Sequence, residues 1–266
     1  MQLPVVDFRS GPFSFCRSRH LLGDSPTALA LAAHRGYAFR RFRRRRGNAS
    51  KRGVVMRIVN PNVRRLVESG DGLRLNLGSG LRKREGFVGV DQVPLPGTDI
   101  VADLNEPLDE LPDNSVAEVY TRHTLEHVKN LLPLMAELHR VTRPGGRIEI
   151  VVPHFSNPYG YSDPTHVRQF GLYTFFYFAD EEDQPTRKVP SFYVPERFTV
   201  ESVAIHLIKR SRVARPLSSA MQWLINRGIG SLDWYERTAC WTFPAESIRY
   251  VVRPKKAAVA SPRLAA

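Results

Sequence analysis

From residue 57 onward, apolar positions fall into short blocks, each closed by glycine, proline or an acidic residue. Residues 73–77 (Leu-Arg-Leu-Asn-Leu) are an apolar-rich run ending in Gly78-Ser79-Gly80, which predicts a strand and a tight turn. Residues 87–90 predict a second strand ending at Asp91, 100–102 a third ending at Asp103, and 116–120 a fourth. Between them and the next block, Leu131, Leu134, Met135, Leu138 and Val141 recur at helical spacing. Arg143-Pro144-Gly145-Gly146 breaks that helix, and residues 147–152 predict a fifth strand. A short helix over 63–68 precedes the series. Strands alternating with helices or loops imply parallel pairing through right-handed crossovers, hence a doubly wound α/β fold.

Beyond Pro153 the texture changes. Residues 154–180 mix polar groups with Tyr159, Tyr161, Phe170, Tyr173, Phe175, Phe176, Tyr177 and Phe178. Residues 181–189 read as a charged loop, 198–208 as a helix and a sixth strand, 216–227 as a helix and 247–252 as a final strand. No internal repeat is evident. The division that follows is an extension over 1–55, one domain over 56–255 with an insert at about 154–197, and a tail over 256–266.

Charge changes the picture at one end only. The net charge is +13, yet residues 1–55 hold 12 basic and two acidic side chains, net +10, which leaves +3 for the rest. Phe39-Arg40-Arg41-Phe42-Arg43-Arg44-Arg45-Arg46 repels itself, so the segment reads as mostly disordered, with a short helix near 26–39. Its readings are a tether for nucleic acid or acidic membranes, a transit peptide, or an extension upstream of a start at Met56. The last is favoured, because every later element is complete without it. Apolar residues make up 42 %, enough for a sizeable core, and no run of about 18 uncharged apolar residues occurs. Cys16 and Cys240, far apart in the chain, form neither a disulfide framework nor a zinc pattern, which suggests a reducing, cytoplasmic setting.

Candidate chemistry gathers at the ends of the strands. A strand running into Gly78-Ser79-Gly80 lets backbone approach a ligand, because glycine has no Cβ to collide with it. Asp91, beyond the second strand, can accept both hydroxyls of a ribose. It lies only 11 residues after Gly80, leaving 81–85 little room for a helix. That spacing disfavours a dinucleotide, whose pyrophosphate needs a helix N-terminus. A nucleoside cofactor without phosphate is affected less. Asp103 can accept from an adenine amino group while the Leu104 N–H donates to a ring nitrogen; a turn-capping acid is the competing reading. Tyr120-Thr121-Arg122-His123-Thr124-Leu125-Glu126-His127-Val128 follows the fourth strand at the same rim. His123 and His127 would share a face if helical, but they lack the glutamate placement of a zinc protease, and no metal is expected.

In order and spacing, LNLGSG, VGVD, the ADL step, LPDNSV, HTLEHV and RPGGRIEIVVP, spanning 73–153, resemble the class I S-adenosylmethionine-dependent methyltransferases, most closely methyltransferase type 11. The resemblance implies a mostly parallel, seven-stranded Rossmann-like sheet with the aromatic-rich insert after the fifth strand. It also implies S-adenosyl-L-methionine as cofactor, held by Asn76, Gly78, Ser79 and Gly80 near its methionine part, Asp91 at the ribose, and Asp103 and Leu104 at the adenine. Thr121, Arg122 and His123 would lie beside the sulfonium, with Glu126 and His127 in support. The short 80–87 connection is similar to members thought to act on cell-surface saccharides, and it is the main departure from the family pattern.

The insert after the fifth strand can roof the transferred methyl group. His154, Asp163 and His166 are the candidate proton acceptors there, since neutral imidazole is available near pH 7; a hydrogen-bond cluster pinning an aromatic lid is the competing reading. Trp223, Trp234, Tyr235, Trp241 and Phe243, interleaved with Arg227, Arg237 and Arg249, read as packing or as a membrane-interface surface. The expected activity is methyl transfer to oxygen of a small-molecule or saccharide-type acceptor, lipid-linked in one version. Its setting is cytoplasmic, with peripheral membrane association as an option. The alternatives are an RNA methyltransferase using the basic arm, or a non-catalytic cofactor-binding module. An Asn/Asp-Pro-Pro-Tyr/Phe base-methylation motif is missing after the fourth strand, which counts against amino methylation of bases.

Overall fold

The computed structural model describes residues 55–208 and 215–256; the expectations for 1–54 and for the tail beyond 256 lie outside the described residues. In chain order the elements are β1 (Arg57–Ile58), α1 (Pro61–Ser69), β2 (Leu73–Leu77), β3 (Val88–Asp91), β4 (Ile100–Val101), β5 (Val116–Arg122), α2 (Leu131–Val141), β6 (Thr142–Pro153), β7 (Phe198–Leu207), α3 (Arg215–Ile225), α4 (Ile229–Thr238) and β8 (Ala245–Pro254). They build one sheet in the order β1-β4-β3-β2-β5-β6-β8-β7. β4, β3, β2, β5 and β6 run parallel; β1, and β8 with β7, close the two edges antiparallel. The chain winds outward from β2 through β3 to β4, then returns to place β5 on the other side of β2. That reversal makes a topological switch point, where open α/β sheets hold ligands beyond the carboxyl ends of their strands.

Central strands are buried on both faces, so they need apolar side chains on both. Leu73, Leu75 and Leu77 of β2, Val116 and Val119 of β5, and Ile148, Ile150 and Val152 of β6 meet that demand. α2 buries Leu131, Leu134, Met135, Leu138 and Val141, the five positions of its apolar stripe. Arg140, in its last turn, donates to the carbonyls of Leu108 and Leu111 and pairs with Asp113 and Glu137, tying the 104–114 connection to the helix.

Three sequence expectations change. The sheet has eight strands among the described residues, because Arg57 and Ile58 add a short edge to β4 that two residues could not announce. Residues 198–207 hold no helix: Phe198, Ile205 and Leu207 are buried on one uninterrupted strand whose register shifts at two points, and those shifts blur its period of two. β6 begins at Thr142. Val116 pairs with Thr142 and Glu118 with Arg147, so Arg143–Gly146 forms a bulge inside the strand where the sequence suggests a stop. The aromatic insert packs inward, with Phe170, Phe175 and Phe178 buried and Phe175 edge-on to Tyr250 at 4.7 Å between ring centres.

Candidate active site

The tip of β2 explains its glycine. Gly78 has φ 61°, in the left-handed region, and a Cβ there would lie 2.1 Å from Thr124 Oγ1. Thr124 thus lies directly against the turn, its hydroxyl within 3.3 Å of the Leu77 carbonyl and 3.1 Å of the Arg122 carbonyl. The Gly80 N–H donates to Asp91 Oδ2 at 2.9 Å, and the Val93 N–H to Asp91 Oδ1 at 3.0 Å. One carboxylate therefore fixes the turns after β2 and β3 together, and each oxygen keeps a lone pair for a ligand hydroxyl.

No helix forms between β2 and β3, and side chains do the holding instead. Asn76, expected at the cofactor, is 4 % exposed, and its Oδ1 accepts the Arg84 N–H at 2.9 Å. Lys83 pairs with buried Asp99 at 2.8 Å, and Arg84 lies over the rings of Phe87 and Tyr120. Burial pushes the Asp99 carboxyl up, but hydrogen bonds from Asn60, Lys83 and the Gly89 N–H, with the Lys83 charge, outweigh it and hold the group below the usual carboxylate range.

Beyond β4, Asp103 Oδ1 accepts from the N–H and the side-chain amide of Asn105, both at 2.9 Å. Asn105 in turn accepts from the N–H groups of Lys129 and Asn130 and thereby joins the β4 and β5 loops. Beyond β5, His123 adopts φ 52°, rare for a residue with a Cβ, and Leu125–His127 turns as a short 3₁₀ helix. His123 and His127 therefore do not share an α-helical face.

A cleft of about 770 Å³ opens at these tips, with Gly78, Asp91, Asp103, Leu104, His123 and His127 among its walls. Its size suits a nucleoside cofactor and a small acceptor together. Ser79 and Thr121 are buried, with hydroxyls lacking hydrogen-bond partners, and do not line the cleft, while Arg122 is exposed. The far wall comes from the insert, through Pro164, Thr165 and Val167. That wall is stapled down: the Val167 N–H donates to the Glu126 carbonyl at 2.8 Å, and Arg168 donates to the carbonyls of Val128 and Lys129.

Titratable groups cluster at that wall. Asp163 Oδ1 accepts from the Thr165 hydroxyl at 2.5 Å and from its N–H at 2.8 Å, and these bonds hold the carboxyl below its ordinary range. Because the Thr165 proton goes to Asp163, its oxygen receives the Nδ1–H of His127 at 2.9 Å, and His127 Nε2 is left as an acceptor. His166 donates Nδ1–H to the Gly160 carbonyl at 2.9 Å and turns Nε2 toward Asp163 at 3.7 Å and Glu126 at 4.0 Å. His154 lies elsewhere. It is fully buried, accepts the Ser156 N–H at Nδ1 and faces Glu236 through Nε2 at 3.0 Å, which bonds the end of β6 to α4. Sequence reasoning placed Gly78, Asp91, Asp103, Leu104 and His123 at the cleft. It gave Thr165 and Asn105 no role, since each acts through partners distant in the chain.

A second cleft of about 760 Å³, between β7 and α4, has Tyr173, Asp233 and Arg237 in its walls and none of the residues at the strand tips.

Residues 85–150 match the family model described as a methyltransferase domain. No curated protein matches. Among solved structures, the chain is similar to a SAM-dependent methyltransferase from Archaeoglobus fulgidus, with 20 % identity over 73 % of this chain and 91 % of that one and a TM-score of 0.46. It is also similar to phosphoethanolamine N-methyltransferase 2 of Haemonchus contortus, bound to S-adenosyl-L-methionine, with 15 % identity over 70 % and 49 % and a TM-score of 0.41. A Haloferax volcanii methyltransferase in complex with its Trm112 activator shares 13 % identity over 73 % and 89 %, TM-score 0.42. The chain thus carries a methyltransferase-domain match over residues 85–150, set in a doubly wound α/β sheet with a cleft at its strand tips.

Proposed function

We propose that the enzyme methylates an oxygen of a small-molecule or saccharide-type acceptor held between the strand tips and the insert. The observation that carries this reading is the Asp163–Thr165–His127 chain of hydrogen bonds at the cleft wall, which leaves a bare imidazole nitrogen where an acceptor hydroxyl would lie. The cofactor residues proposed are Gly78, Ser79, Gly80, Asp91, Asp103, Leu104, Thr121 and His123, with Asn76 and Arg122 acting only indirectly. S-adenosylmethionine supplies, when bound, a methyl group already activated on a sulfonium sulfur.

The protein's own part is then orientation and proton removal. Holding an acceptor in line is worth roughly 7–11 kcal/mol of barrier in favourable cases. A positioned base contributes about 10²–10⁴-fold. His127 Nε2 receives the acceptor's hydroxyl proton, Asp163 acts on it through Thr165, and His166 stands behind with its own Nε2 toward Glu126. His154, expected as a third acid–base group, is buried against Glu236, and this reading gives it a supporting role only.

Isotope-labelled cofactor, offered with fractionated small-molecule and saccharide extracts, tests the reading. A labelled O-methyl product is the expected outcome; label found only in RNA, or on nitrogen, removes it. The RNA reading rests on the 12 basic residues within 1–55. A lipid-linked acceptor, and peripheral membrane contact of a cytoplasmic enzyme, would find support in exposed Trp223, Trp234 and Trp241 with Arg227 over the Trp223 ring. No helix of the described residues is long and apolar enough to cross a membrane.

A further inference from the structure

We infer that Glu126, His127 and His166 form a binding site for one divalent transition-metal cation at the acceptor end of the cleft. The first observation is Glu126. Its side chain is 1 % exposed, and neither carboxylate oxygen has a hydrogen-bond partner. A buried carboxylate left so bare is costly unless a cation answers it. His123 Nδ1, at 3.5 Å, and His166 Nε2, at 4.0 Å, approach its Oε1 without bonding it.

The second observation is the state of the two imidazoles. His166 spends Nδ1–H on the Gly160 carbonyl, and His127 spends Nδ1–H on Thr165. Both rings are thereby fixed in the tautomer that bares Nε2, the arrangement by which metal-binding histidines are oriented. The rings stand edge to face with centres 4.8 Å apart. One ligand atom from each of the three residues lies within 4.8 Å of the others. Ligands about 2.0–2.2 Å from a common ion at tetrahedral angles lie about 3.3–3.6 Å apart, so the set closes by up to about 1 Å as the ion is taken up.

Two imidazoles and one carboxylate suit Zn²⁺, Co²⁺, Mn²⁺ or Fe²⁺ better than Mg²⁺ or Ca²⁺, which prefer oxygen alone. Three protein ligands leave positions open toward the cleft that His127 lines. What the cation would do rests on the methyl-transfer reading: an acceptor hydroxyl reaching it becomes more acidic and gives its proton to water. With the cation bound, the Nε2 of His127 is a ligand, so the base role given to His127 above belongs to the cation-free chain. The sequence expectation of no metal considered His123 with His127; it did not bring Glu126 together with the insert.

The test titrates Co²⁺ into the untagged full chain, without cofactor or acceptor, reading visible absorption and thermal unfolding. One saturable Co²⁺ per chain, raising the unfolding temperature, is expected. Glu126→Gln keeps the buried shape and should weaken binding at least about tenfold, as should His127→Ala, whose side chain is exposed and whose loss leaves the core intact. No saturable binding, or equal binding in both variants, overturns the site. Because the readout involves no methyl transfer, that result would leave the O-methylation reading standing with His127 as base. Conversely, a Co²⁺ site in a chain that methylates no hydroxyl would remove only the latter.

Discussion

Gly78 and Thr124 are in such close apposition that the glycine's missing Cβ would fall 2.1 Å from the threonine hydroxyl oxygen. At Gly80, also at positive φ, a Cβ would meet nothing within 4 Å. Alanine should therefore act differently at the two positions. Gly80→Ala should cost about 1–2 kcal/mol, the backbone strain alone. Gly78→Ala should cost more and displace the β5 loop, with cofactor affinity falling further than in Gly80→Ala. Chemical denaturation and calorimetry on both variants measure the contrast; equal losses would mean that the close approach has no consequence.

Asp91 holds the turns after β2 and β3 while facing the cleft. Hydrogen bonds to a charged group are worth about 1.5–3 kcal/mol, so Asp91→Ala should lower cofactor affinity by at least tenfold. The sheet should still form, since its core lies elsewhere. Unchanged affinity by calorimetry would take Asp91 out of the site.

Thr165→Val preserves shape but breaks the link from Asp163 to His127. If His127 is the base, kcat should fall roughly tenfold to hundredfold with KM little changed, and the pH–rate profile should move. A changed KM with unaltered kcat would assign Thr165 to acceptor binding alone.

Asp99 gives a pH dependence of stability. Its folded pKa lies below the usual value, so its contribution is fully present above about pH 4 and is lost as the pH falls through the folded value. Urea unfolding of the wild type should show stability declining below about pH 4, and Asp99→Asn should flatten that decline. The variant should also loosen the 81–87 connection through Lys83.

Removal of residues 1–54 should leave activity on a small acceptor intact and reduce binding to RNA, with a shallower dependence on salt. Loss of activity on a small acceptor, together with tight RNA methylation by the full chain, would favour the RNA reading.

Much of the parallel half of the sheet was legible, because each strand there is a short apolar block stopped by a turn residue, and α2 has a clear stripe. β7 was less so: its register shifts interrupt the alternation that identifies a strand. Asn76 shows another limit. Its neighbours in sequence place it at a ligand, but a buried amide takes whichever polar group is near, and that is the Arg84 N–H. His154 and His166 look alike in sequence; one is enclosed against α4 and the other faces Glu126. Glu126 and His166 are 40 residues apart, and only the return of the insert over β5 makes them neighbours.

The insert wall described above is fastened at both its ends, by Val167 and Arg168 to the β5 loop and by the Phe155 N–H to the Phe170 carbonyl. These fastenings predict an entrance that needs no hinge motion between turnovers, so a viscous solvent should slow methyl transfer only where exchange of spent cofactor limits it.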